Sequence, residues 1–136
     1  KNTQDIDKPK VFIPGAGGSG NDPSVLGKPE VAPKHSVCSQ SYLYAAFNSD
    51  EEAINFKKYA QTKFFRALVS AMKITQSCPQ RAYRFVPILD FTHNSDIDWS
   101  KSSPELDMAL YHKYHIDTIP NAIAFIESKY KYIHEN

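Results

Sequence analysis

Between Ala53 and Ala71 apolar residues return every three or four positions, at Ala53, Phe56, Ala60, Phe64, Ala67, Leu68 and Ala71. That spacing lays them on one face of an α-helix. The preceding Asn48-Ser49-Asp50-Glu51-Glu52 supplies a cap and then acids in the first turn, where the helix dipole favours them. The pattern predicts one long amphipathic helix from Asp50 to Met72. Strands are predicted at Lys10 to Pro14, at Glu30 to Pro33, over the alternating stretch Ser36 to Phe47, and at Tyr83 to Ile88. The five glycines all fall between Gly15 and Gly27, which marks a loop. Ile74 to Ala82 reads as a polar loop, and Asp90 to Ser102 as an exposed connection containing Trp99. Ser103-Pro104-Glu105 gives a cap followed by proline at the first helical position, so a helix should run to Tyr114. Another should begin near Thr118 or Ile119, with Pro120 in its first turn, and reach Tyr130. The predicted class is α+β: a small mixed or antiparallel sheet packed against one long amphipathic helix, with two short C-terminal helices.

Composition narrows the picture. A chain of 136 residues with 41% hydrophobic content suits a single domain with a real core and excludes a disordered tail. Its apolar runs fall far short of the roughly 18 to 20 residues that span a bilayer, and the polar start lacks a secretory signal. No membrane partner is expected, and the expected compartment is the cytoplasm. The first residue, Lys1, suggests that residues 1–136 are one domain excised from a larger protein. Cys38 and Cys78 show no CxxC spacing and read as free thiols.

Net charge is +1, but its distribution is uneven. Residues 1–52 hold five lysines against seven acids, and residues 90–136 hold four against eight. Between them Lys57, Lys58, Lys63, Arg66, Lys73, Arg81 and Arg84 stand without a single acid. Such a block attracts polyanions if it is exposed on one surface.

Catalytic patterns are sought without success. Gly15-Ala16-Gly17-Gly18-Ser19-Gly20 spells a dinucleotide-binding loop, which needs a strand before it and a helix directly after. Asn21-Asp22-Pro23 and Gly27-Lys28-Pro29 cannot start that helix, so no cofactor is expected in this chain. The loop can still offer backbone N–H groups at Gly17, Gly18 and Ser19 to a phosphate. Glu127-Ser128-Lys129 has the spelling of a nuclease centre but falls late in a predicted helix. The five histidines are scattered, and His112 and His115 lack a completing ligand, so no metal is expected. No nucleophile elbow is present. The reading is binding, with no enzymatic centre in this chain. Lys57, Lys58, Lys63, Arg66 and Lys73 can neutralise about four phosphates between them, for a slope of log affinity against log salt of about −3.6. Thr75, Gln76, Gln80, Arg81 and Arg84 carry groups suited to base edges.

Several segments then acquire a family likeness when taken in order. They are Ile13-Pro14 with its glycine loop, Leu26-Gly27-Lys28-Pro29, Ser36-Val37-Cys38-Ser39-Gln40-Ser41-Tyr42-Leu43 and Glu51-Glu52-Ala53-Ile54-Asn55-Phe56. Lys63-Phe64-Phe65-Arg66-Ala67-Leu68, Lys73-Ile74-Thr75-Gln76, Arg84-Phe85-Val86-Pro87 and Phe125-Ile126-Glu127-Ser128 complete the set. Together they resemble the C-terminal segment of bacterial adenine-specific DNA methyltransferases of restriction–modification systems, including fused restriction–methylation (type II) enzymes. The likeness runs from Lys10 to Lys131. It implies a target recognition domain that positions duplex DNA and contributes to sequence choice. A catalytic methyltransferase domain of the same polypeptide would flip the base and methylate it from S-adenosylmethionine. Two features depart from the pattern: Ser39-Gln40-Ser41-Tyr42 stands where relatives often carry Thr-Glu-Thr-Tyr or Thr-Gln-Thr-Tyr, and Asp90 to Glu105 is longer than usual.

Two other readings stay open. A docking module between domains of a restriction enzyme would expose an apolar patch instead of a continuous basic one. A trimmed nuclease domain would need acids and a lysine converging on one site. The DNA reading depends on the central cations lying exposed on one surface, and their scattering or burial against neighbouring carboxylates would overturn it.

Overall fold

The computed structural model describes residues 7–14, 30–32, 42–75 and 87–132, with the side chains of 13–14, 42–44 and 71–75 left aside. Three short strands, β1 (Lys10–Pro14), β2 (Glu30–Ala32) and β3 (Tyr42–Ala46), form an antiparallel sheet in the order β2-β1-β3. Val11 is opposite Val31 on one side and Ala45 on the other, and its side chain is fully buried. Burial of this central β-branched residue orients the sheet toward the first helix, which packs on it. The described residues therefore give an α+β fold with a small antiparallel sheet. Of the predicted strands, the Ser36–Phe47 stretch appears as Tyr42–Ala46, with 36–41 outside the described residues. The described end of Tyr83–Ile88, Pro87 and Ile88, is not in a strand.

The long helix is corrected to two. The first, α1 (Asp50–Ala60), starts as its sequence promised: Ser49 is extended, and its Oγ accepts from the Glu52 N–H at 3.2 Å. Glu52 reaches back to accept from the Asn48 N–H at 3.1 Å, closing a reciprocal cap. At Gln61 and Thr62 the helix stops, and α2 (Lys63–Thr75) begins. Buried Thr62 makes the break: its Oγ1 donates to the Tyr59 carbonyl at 2.7 Å and accepts from the Phe65 N–H at 3.1 Å. A threonine that ends one helix and caps the next leaves the three-to-four spacing of apolar residues almost undisturbed, so periodicity alone reads straight through it.

The remaining described elements are α3 (Ser103–Lys113), a 3-10 turn (Ile116–Thr118) and α4 (Ala122–Lys129). The cap of α3 lies one residue earlier than predicted. Ser102 Oγ accepts from the Glu105 N–H at 3.4 Å, and Glu105 accepts from the Ser102 N–H at 3.1 Å. Pro120 precedes α4 instead of lying in its first turn. The chain turns on either side of the 3-10 segment through His115 and Asn121, both left-handed at φ 62° and 66°. Asparagine visits that region more readily than most residues.

The core is largely aromatic. Phe47, Phe56, Tyr59, Phe65, Phe91 and Trp99 form a contiguous group in which Phe56 meets Phe65 edge-on at 6.0 Å and Tyr59 meets Phe65 at 5.0 Å. Of this group only Phe56 was placed by the helical spacing; Tyr59 and Phe65, off the predicted apolar face, are buried too, as are Phe91 and Trp99. The connection after Asp90 was expected to be exposed, yet Phe91, Ile97 and Trp99 are all buried. Polar contacts hold that segment down: Asn55 Nδ2 donates to the Phe91 carbonyl at 2.7 Å, Lys58 Nζ to the Trp99 carbonyl at 2.6 Å, and Trp99 Nε1 to the Asp90 carbonyl at 3.0 Å. The segment after Asp90 is part of the body of the fold.

Thr62→Ala removes both the cap of α2 and the tie to α1, and should lower unfolding free energy by about 1–2 kcal/mol, with Thr62→Ser close to wild type. Urea denaturation followed by the fluorescence of Trp99, the single tryptophan of the chain, measures it.

Candidate functional site

The first turn of α2 contains no acid of its own. Two of its free N–H groups are satisfied from α3, where Asp107 is completely buried. One carboxylate oxygen accepts from the Lys63 N–H at 3.0 Å and the other from the Phe64 N–H at 2.8 Å. Tyr132 donates its hydroxyl to the same carboxylate. A carboxylate at a helix N-terminus is favoured by both the exposed N–H groups and the helix dipole.

Around Asp107 lies a cluster of charges and hydroxyls drawn from three helices and the C-terminal run. Lys63 Nζ pairs with Glu127 of α4 at 2.8 Å and lies 4.4 Å from the centre of the Tyr132 ring. Tyr111 donates to the other oxygen of Glu127 at 2.8 Å. Arg66 is fully buried; its Nε donates to the Thr62 carbonyl at 3.4 Å, and its guanidinium carbon stands 6.0 Å from the Tyr130 ring. Burial lowers the pKa of Arg66, and neighbouring Asp107 opposes that shift. Burial raises the pKa of Asp107 against the hydrogen bonds from Tyr132 and the two backbone N–H groups. Tyr111 and Tyr132 are driven far up, by burial first and then by the adjacent carboxylates, so both remain hydrogen-bond donors. This arrangement is suited to fastening helices together. It presents no exposed nucleophile, and no group of three or more His, Cys, Asp or Glu among the described residues is placed to hold a metal.

The structure corrects two of the proposed phosphate contacts. Lys63 is 8% exposed and Arg66 is 0% exposed, so neither offers its charge to a ligand. The reason is non-local: Asp107 and Glu127 lie 44 and 64 residues from Lys63, beyond the acid-free block. Lys57 and Lys58 are half-buried on α1, and Lys58 is committed to the Trp99 carbonyl. Lys73 and Thr75 belong to the last turns of α2 by backbone. Gly17, Gly18, Ser19, Gln76, Gln80, Arg81 and Arg84 lie outside the described residues.

Searched against known families, curated proteins and solved structures, the chain matches none.

Sequence reasoning missed Asp107, although a signal for it exists. Leu106, Asp107, Leu110 and Tyr111 occupy one face of α3, and all are buried. An acid seated in a helix's apolar stripe announces a buried partner. Glu127 carries a weaker signal, since it ends the apolar run Ile123-Ala124-Phe125-Ile126.

Asp107→Ala leaves two α2 N–H groups and the buried Arg66 without their carboxylate, and should cost about 3–5 kcal/mol in urea unfolding, whereas Glu127→Gln should cost less because a carbonyl oxygen remains for Lys63. A pH dependence also follows. Hydrogen bonds from Thr92, Ser100 and Ser102 hold Asp90, Asp98 and Glu105 below their ordinary values, and Lys113 does so for Asp96. Their stabilisation is present above the usual carboxylate range of about 4 and disappears as pH falls through the depressed values. Asp107, shifted upward, gains stability as it takes up a proton and opposes the trend. Thermal midpoints should therefore fall between about pH 5 and about pH 3, and more steeply in Asp107→Asn, where the opposing group is gone.

Proposed function

We propose that the chain is a DNA target recognition segment of a restriction–modification adenine methyltransferase, acting through the polar stretch that follows α2 and not through the face of α2 itself. The likeness of its ordered segments to that family supports the reading. The observation that carries it is the fastening of α2. A helix locked at its first turn by Asp107 and Glu127 ends at Thr75, directly before Gln76, Gln80, Arg81 and Arg84 in the sequence. Side chains that read bases work from a rigidly held support. Lys63 and Arg66 belong to that support and Lys58 is held by the Trp99 carbonyl, which leaves Lys57 and, by its place in the sequence, Lys73 for the phosphate backbone. Methyl transfer and S-adenosylmethionine binding belong, on this reading, to a catalytic domain of the same polypeptide.

A second reading is favoured by a specific observation. Ile119 and Phe125 are 52% and 59% exposed, and α4 is an apolar helix with no buried residue. A module that docks another domain would show such a surface. No helix among the described residues is long and apolar enough to cross a membrane.

Equilibrium binding to duplex DNA over a range of salt concentrations separates the two. Two backbone contacts give a slope of about −1.8. Lys57→Ala with Lys73→Ala should weaken binding to every duplex alike, and Gln76→Ala or Arg81→Ala should change the preference among sequences. Undetectable binding at low salt sinks the DNA reading and leaves the docking module standing.

A further inference from the structure

The run from Ala122 to Tyr132 is attached unlike the rest of the described protein. α4 buries none of its residues: Ile123 and Ile126 are half-buried against the core, while Ala124, Phe125 and Ser128 are exposed. Its firm attachments are three side chains near its end. Glu127 accepts from Lys63 and Tyr111, Tyr130 is buried beside Arg66, and Tyr132 donates to Asp107 and lies against Lys63. Seating this run covers ions, and removing ions from water offsets much of what their pairing returns. The run shares in the aromatic body only through buried Tyr130 and half-buried Ile123 and Ile126, whereas Ala53, Tyr59, Phe65, Val69 and Trp99 are enclosed within it. Segments with little apolar burial, held by a few polar ties, are the ones that open below the global unfolding free energy.

We infer that Ala122 to Tyr132 is a releasable strap, closed over Lys63, Arg66 and Asp107 and able to open as a unit while the aromatic core around Trp99 stays folded. Opening withdraws Glu127 from Lys63 and Tyr132 from Asp107, and admits water to the first turn of α2. The strap therefore makes only the ties through Glu127 and Tyr132 releasable, while Asp107 of α3 keeps its hold on the Lys63 and Phe64 N–H groups.

Hydrogen exchange of the intact chain, read by mass spectrometry at rising sub-denaturing urea, tests this. Peptides covering 122–132 should exchange faster than those of α3 and with a weaker urea dependence. Tyr132→Phe and Glu127→Gln should each speed that exchange by about tenfold without moving the emission of Trp99. Exchange of 122–132 that matches α3 in rate and urea dependence overturns the strap, and so does a rate that neither substitution changes. The wild-type comparison decides alone if either variant fails to fold.

Discussion

The start of α2 lies inside the protein, and an α-helix cannot start there without acceptors for its free N–H groups. Thr62 supplies one locally and Asp107 two more from another helix, and much of the described structure follows from that one requirement. A buried carboxylate needs positive charge and donors nearby, and Arg66, Tyr132 and the two backbone N–H groups provide them. Lys63, on the same turn, then needs its own acceptor and finds Glu127. Three helices and the C-terminal run are thereby tied to a single point. Replacing this network with apolar side chains would cost the fold little in principle. What the network supplies is a fixed register between α2, α3 and α4.

The aromatic body solves a different problem. The three-stranded sheet is too small to form a core alone, so α1, α2 and the segment after Asp90 close over it with large rings. Edge-on contacts at 5.0 to 6.3 Å allow these rings to fill volume from several directions without a second sheet. The polar ties from Asn55, Lys58 and Tyr59 to carbonyls of residues 87–99 serve an irregular segment that has no ladder of its own to satisfy its backbone.

How much of this was legible follows from the range of each interaction. Strand β1, the start of α1 and the extent of α3 rest on local chemistry: β-branched residues, a serine cap, acids in a first turn. All were readable within a few residues. The break at Thr62 is local too, but it hides inside an unbroken hydrophobic period, and only the hydrogen-bonding capacity of threonine distinguishes it. Phe91 and Trp99 could not be placed from pattern, since their segment has neither helical nor strand periodicity. The fate of Lys63 and Arg66 was least legible, being decided by acids 41 to 64 residues away.

That last point bears on how a basic block should be read. A run of cations without acids looks like a surface that attracts phosphate, because charges near in sequence are the easiest to sum. In a folded chain each long side chain answers instead to whatever the packing brings within reach. Here the acid-free block is flanked by acidic stretches, and the electrostatically favoured fold brings the excess acid of residues 90–136 onto the cations of α2. Charge segregation along a chain is thus as good a recipe for an internal ion-paired junction as for an external binding face. Burial of the neighbours decides between them. Lys63 stands immediately before Phe64 and Phe65, and Arg66 one turn after buried Thr62 and three before Val69. Cations set that tightly among core residues are drawn inward with them, while Lys57, whose helix face is less enclosed, keeps more contact with solvent.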